Sequence, residues 1–310
     1  MKRGKWFVLL LFVGLMAIPV FLWQAPREPA PEFSYYLEAP SAMRLVEVMS
    51  GRPDSARRSV VKQALQAAGI AYREEQVTNQ IFRGENVIVE VGAGPDILIF
   101  LAHTDRVAKA PGANDNASCV AAAIEALKVL GKDPISQGLR LRFIFSDGEE
   151  SGLQGASYHV ENNDLSNIRG VASFELCGIG DAFGVWDVVG PATGSRIVRA
   201  LMKAGDNLGI YNATHGAVPR FGSDHRVFAR KGLAAVGVTI LPQGDEKKLR
   251  SYVDDPNNPK WLLNFIRPTI FQTYHTSGDG PQTVQPAALE MTARLMVETV
   301  RTFEQSGRQL

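Results

Sequence analysis

The chain has 310 residues, 45% hydrophobic and 21% charged, enough for one globular domain with a sizeable core and too short for two large ones. Its 33 Lys and Arg nearly cancel its 32 Asp and Glu, so nucleic-acid binding has no electrostatic support. Two cysteines, Cys119 and Cys177, are too few for a disulfide scaffold and lack the CxxC spacing of a zinc knuckle; two buried thiols is the plain reading, one disulfide the alternative in an oxidising compartment.

The first two dozen residues stand apart. Lys2, Arg3 and Lys5 precede an uncharged apolar run from Trp6 to Trp23, and a Pro-rich stretch follows. About 18 residues make roughly 27 Å of helix, adequate for a bilayer core. Positive charge before it predicts that the N-terminus stays inside and the rest is exported, with Trp6 and Trp23 at the interfaces. Residues 1–24 therefore read as a membrane anchor, 25–33 as a linker and 34–310 as one domain on the non-cytoplasmic (periplasmic or extracellular) side. A cleaved signal peptide, giving a secreted protein, competes with this, although small residues are poorly placed for cleavage near Ala25. A buried helix of the globular domain is a third reading, disfavoured by the linker.

From Phe33 onward the pattern is that of one α/β domain. Residues 53–69 show helical periodicity, with Asp54 or Ser55 as cap and Gly69 as stop. Asn86–Val91 reads as a strand ending at Gly92, and Asp96–Ala102 as a strand buried on both faces. A helix over 117–130, a strand over 139–145, a helix over 152–160 and a buried strand over 170–176 follow. A helix near 194–204, a strand over 234–241 and a C-terminal helix over 286–303 complete the order. This alternation predicts a mostly parallel sheet covered on both sides. No internal repeat is visible. Residues 242–273, rich in Asp, Asn, Pro and Lys, read as a long surface insertion, where the residues that set specificity are expected.

In open α/β sheets, ligands bind beyond the carboxyl ends of the strands. Here those ends are followed by His103-Thr-Asp105, by Asn114-Asp115-Asn116 opening a helix, by Asp147-Gly148-Glu149-Glu150, by Glu175, and near the C-terminus by Tyr274-His275 and Asp279. Imidazoles and carboxylates are the ligands zinc takes when no thiolate is offered. Each piece has a plain alternative. His103 and Asp105 together suit a surface pair, Asp115 a helix cap, Glu149-Glu150 a solvated pair at a helix start, and His275 an isolated side chain. Asn116-Ala-Ser118 matches a glycosylation sequon, read as coincidence. Glu175 is the most informative: an acid at the tip of a buried strand needs a partner to offset its desolvation. Asp105 reads as the acceptor that holds the His103 ring in one tautomer.

The order of these pieces resembles the co-catalytic zinc aminopeptidases, whose relatives include bacterial leucyl aminopeptidases, glutamate carboxypeptidase II, the transferrin receptor and glutaminyl cyclases. The resemblance spans about residues 85–300. It is carried by Ala102-His-Thr-Asp105, Pro111-Gly-Ala-Asn-Asp115-Asn-Ala-Ser118, Asp147-Gly-Glu149-Glu150-Ser-Gly-Leu-Gln-Gly-Ala156, Phe174-Glu175, Ser223-Asp-His225 and Tyr274-His-Thr276. It implies a three-layer α/β sandwich of the zinc-dependent exopeptidase type, with a central mixed, mostly parallel sheet and two Zn2+ per chain. His103 and Glu175 would hold one ion, Glu150 and His275 the other, and Asp115 would bridge them. Glu149 would be the general base, with Asp224 and Asp279 auxiliary. Glu175 stands where Asp is commoner and Cys119 where Gly is usual. The activity implied is aminopeptidase hydrolysis of peptide substrates.

Three other functions compete. A glutaminyl cyclase would use one zinc through Asp115, Glu150 and His275. Tyr274, where that branch tends to have Trp, and the full Asn114-Asp-Asn-Ala-Ser run favour the peptidase. A non-catalytic receptor ectodomain should have lost ligand positions, which are all acidic or His here. A serine hydrolase would use Gly222-Ser223-Asp224-His225, but triad members are normally distant in sequence and no GxSxG elbow is present.

Overall fold

A computed structural model of the chain describes residues 41–132, 138–219, 221–253 and 267–307. The expected anchor and linker lie outside these residues. Among the described residues no helix is long and apolar enough to cross a membrane.

The strands are β1 (Arg73–Thr78), β2 (Arg83–Val91), β3 (Asp96–His103), β4 (Leu139–Ser146), β5 (Ile168–Glu175), β6 (Ala182–Trp186), β7 (Tyr211–Thr214) and β8 (Ala235–Leu241). They form one sheet in the order β1-β2-β4-β3-β5-β8-β6-β7. The central run β4-β3-β5-β8 is parallel, as is β6-β7, while β1-β2, β2-β4 and β8-β6 are antiparallel. The sheet is therefore mixed, parallel at its centre and antiparallel toward its flanks.

The apolar runs explain the centre. In β3, Leu98, Phe100 and Ala102 point to one face, and Ile97, Ile99 and Leu101 to the other, all buried. The first face is covered by α1 (Ala42–Met49), α2 (Asp54–Ala67), α3 (Ser118–Leu130), α5 (Arg196–Leu208) and α8 (Pro286–Gly307), the second by α4 (Gln154–Asn162) and α6 (His225–Ala229). A strand buried on both faces has no polar alternation, which is why the continuous run was readable. Phe100 packs edge-on against Phe143 and Phe174 from the neighbouring strands. Helix α2 stops where expected, with Gly69 at φ +68°.

Three expectations are corrected. The helix expected from Gly152 begins at Gln154, because Gly148, Gly152 and Leu153 all take left-handed φ and turn the chain first. Glu149 and Glu150 therefore lie in a turn, not at a helix start. Residues 242–273 are not wholly a surface insertion: α7 (Glu246–Val253) buries Leu249, and Ile270 and Phe271 join a third apolar cluster with Trp186 and Phe221. The strands β1, β6 and β7 were not anticipated; β1 and β7 are short, polar edge strands without an apolar run.

A buried polar network ties β1 to α4. Glu75 accepts from Asn86 Nδ2 at 2.8 Å and Asn163 Nδ2 at 2.9 Å, and faces His159 Nδ1 at 3.0 Å. Burial alone would raise its pKa, but these partners hold the carboxyl down at about 2 against the ordinary 4.5. A depressed folded-state pKa gives stability that is complete above the unfolded value and lost as pH falls through the folded one. We expect acid unfolding to begin below about pH 4.5 in part through this group. Urea midpoints of Glu75→Gln should change less between neutral and acid pH than those of the unsubstituted chain; an equal change would exclude Glu75.

Candidate metal centre

The parallel centre sets the site. Residues Leu101 and His103 of β3, Ile144 and Ser146 of β4, and Ser173 and Glu175 of β5 share one face by the two-residue period, and the register pairs His103 with Ser146 and Leu101 with Ser173. His103 and Glu175 thus emerge side by side at the carboxyl edge. His103 Nε2 lies 3.2 Å from Glu175 Oε2 and 3.2 Å from Asp115 Oδ1. The other Asp115 oxygen, Oδ2, lies 3.1 Å from His275 Nε2, which is 3.1 Å from Glu150 Oε2. All five sequence-expected ligand residues therefore converge, in two trios, His103–Asp115–Glu175 and Asp115–Glu150–His275, with Asp115 common to both. Glu149 also lies within ligand range of His103 and Glu150.

The donor set fits metal cations. Asp115 Oδ2, Glu150 Oε1 and His275 Nε2 are buried atoms without a well-aligned hydrogen bond, although Oδ2 and Nε2 face each other at 3.1 Å; a bound cation would satisfy them. Burial would lower the His275 pKa, but the carboxylates of Asp115 and Glu150 push it up to about 9. Burial raises Glu149 well above the ordinary carboxyl range, and the neighbouring Glu175, Asp224 and Glu150 add to the rise, opposed by His103. Burial likewise pushes Asp224 up to about 7.

Local supports hold each loop. Asp105 does more than face His103 Nδ1 at 3.3 Å: its two oxygens accept the backbone amides of Glu149 and Glu150, at 3.1 and 3.0 Å. Asp279 accepts the amides of Asn114 and Asp115 at 2.8 and 3.1 Å, clamping the turn that presents the shared carboxylate. Asn116 is fully buried and bonded to Phe174 O and Leu176 N, so the sequon is closed to glycosylation. Buried Arg57 donates to the carbonyls of Thr104 and Gly112, joining the segments that carry His103 and Asp115. Asp224 accepts from Ser146 at the tip of β4. Asp147 points away from the trios and pairs with Arg58 at 2.7 Å. Sequence reasoning missed Arg57 and Ser173, and named Ser223 only within a motif, without its contact to Glu175; a buried Arg or Ser has no pattern that separates it from a surface one.

Ser223, Asp224 and His225 make no triad. Ser223 bonds Glu175, and His225 Nε2 lies 2.9 Å from Asp187. Cys119 and Cys177 are buried free thiols.

Residues 86–300, more than half of the chain, match the model of peptidase family M28. The chain belongs to this family. Among curated relatives, it is 37% identical over 100 residues to a probable lipoprotein aminopeptidase of Mycobacterium tuberculosis, covering 31% of this chain and 20% of that one. It is 25% identical over 234 residues to a probable leucine aminopeptidase 2 of Trichophyton verrucosum, covering 71% and 45%. The M28 chain thus spans less than half the length of these relatives. Among solved structures, a zinc aminopeptidase from Bacillus subtilis superposes with a TM-score of 0.56 at 21% identity, over 71% of this chain and 50% of that one. A glutaminyl cyclase from Porphyromonas gingivalis superposes with a TM-score of 0.64 at 17% identity, over 87% and 98%. At such identities the likeness establishes the fold.

Proposed function

We propose that the M28 chain is a two-zinc aminopeptidase that removes N-terminal residues from peptides. The observation that carries this reading is Asp115, which offers one oxygen to each of two imidazole–carboxylate trios. Two ions about 3.5–4 Å apart need such a shared anion. In this reading His103, Asp115 and Glu175 hold one zinc, and Asp115, Glu150 and His275 the other. Zinc bound there supplies Lewis acidity and makes water easier to deprotonate.

The remaining roles fall to the chain's own groups. Glu149 is kept beside the trios by the Asp105 bond to its amide, within ligand range of His103 and Glu150. A carboxylate so placed, and not needed by either trio, suits a base that takes a proton from water and returns it to the leaving amine. Asp224, hydrogen-bonded to Ser146 and close enough to act on Glu149, is its auxiliary. Asp279 and Asp105 position backbone. His275 keeps 32% of its side chain exposed, which places the mouth of the site beside it. Tyr274, stacked on His275 with ring centroids 3.7 Å apart, borders that mouth and is the side chain expected to bear on substrate preference. Placement on the non-cytoplasmic side through a membrane anchor rests on the composition of residues 1–24 alone.

The test is metal analysis of the purified chain with a panel of aminoacyl and Gln-peptide substrates. The expected result is two zinc per chain and release of N-terminal residues. One zinc with cyclisation of N-terminal Gln would replace the reading by a glutaminyl cyclase; no bound metal and no turnover would leave a non-catalytic domain.

A further inference from the structure

The turn that carries Glu149 and Glu150 is held on one side by Asp105, which accepts both of their amides. Its other side rests on the β1–β2 hairpin. Asp147 N donates to Asn86 Oδ1 at 3.1 Å, Glu85 N donates to Asp147 Oδ2 at 3.1 Å, and Asn86 Nδ2 donates to Gly155 O at 3.0 Å. These bonds fix the two ends of the turn. Its middle is covered by the tip of the hairpin.

Two apolar residues stand at that tip, and they face different ways. Ile81 is 84% exposed, whereas Phe82 is half-buried and lays its ring between Gly84 and buried Gly148, the residue before Glu149. A Cβ at Gly148 would meet the ring at 2.5 Å and one at Gly84 would meet it at 2.6 Å, so only glycine on both sides lets the aromatic ring reach the main chain. Gly148 also takes φ +70°, open to glycine at little cost. The tip is itself braced. Asn79 Oδ1 accepts the amides of Ile81 and Phe82 at 3.0 and 2.8 Å, and Asn79 Nδ2 donates to Gln154 Oε1 at 2.7 Å, at the far end of the turn. Gln154 Nε2 donates onward to Ser151 O at 3.0 Å. Residues 79–82 thus close over the turn from Gly148 to Gln154.

The two acids of the turn differ in what else holds them. In the two-zinc reading Glu150 is fixed at its far end by the ion it binds. Glu149, which neither trio needs, takes its direction from the main chain. We propose that Phe82 is a positioning residue that aims the Glu149 carboxylate at the reacting water by pressing on Gly148, with Asn79 holding the ring in place. This rests on the aminopeptidase reading. Misplacing a catalytic group by about 1 Å can cost about 100-fold in rate.

The experiment measures steady-state hydrolysis of an aminoacyl substrate, zinc content and amide hydrogen exchange on the purified chain. In Phe82→Ala, kcat should fall about 100-fold, with KM little changed and zinc retained. The amides of Glu149, Glu150 and Gln154 should exchange faster, and those of β4 at the unsubstituted rate. Phe82→Met, an apolar chain of similar reach, should recover most of the rate. In a Glu149→Gln background Phe82→Ala should cost nothing further, because no base is left to aim. Unchanged kcat or unchanged exchange in Phe82→Ala overturns the proposal, as does a full further loss in the Glu149→Gln background or loss of zinc in step with the rate. Asn79→Ala, which unties the tip without touching the core, carries the same test should Phe82→Ala fail to fold; no effect there overturns the proposal. An unsubstituted chain that hydrolyses no aminoacyl substrate defeats the aminopeptidase reading instead, and the exchange rates then still decide whether Phe82 holds the turn.

Discussion

In Glu149→Gln, hydrolysis of an aminoacyl substrate is expected to fall about 10²–10⁴-fold, with two zinc ions still bound. The amide has the shape of the carboxylate but does not accept a proton at neutral pH. The Asp105 bond runs to the Glu149 backbone amide, so the substitution leaves the turn in place. The ligand trios keep all their atoms. Rate and metal content measured on the same preparation decide the matter. A near-normal rate would remove Glu149 from the base role, and loss of an ion would mean that it serves as a ligand.

Asp115→Ala is expected to abolish both metal binding and hydrolysis. Its two oxygens face different imidazoles, His103 at 3.2 Å and His275 at 3.1 Å, so one substitution strips a ligand from each trio. His275→Ala, by contrast, should cost one ion and leave the other. Metal counts for the two variants, with circular dichroism to show that both fold, distinguish a shared carboxylate from an ordinary ligand. Retention of one tightly held ion in Asp115→Ala would show that the carboxylate is not shared.

The centre of the fold and the residues of the trios were legible in the sequence for physical reasons. Buried parallel strands carry unbroken apolar runs, and the residues just past them, His103, Glu149 and Glu175, fall where such sheets bind ligands. The flanks were not legible. Edge strand β1 reads Arg-Glu-Glu-Gln-Val-Thr, whose single buried contribution to the apolar core is Val77. The supports were half legible. Asp105 was expected to face His103, but its grip on two backbone amides has no signature, since any residue supplies an amide. Asp279 was expected near the site without a role; its role is likewise to hold main chain. The stretch 242–273 looked solvated by composition, yet Leu249, Ile270 and Phe271 supply enough apolar surface to anchor it.

Asp115 is presented by a turn whose amides are held by Asp279, 164 residues further along the chain. No contiguous fragment lacking the C-terminal part can therefore assemble the shared ligand in its native posture. In the two-zinc reading, the shared carboxylate takes up its position only once residue 279 has reached that turn.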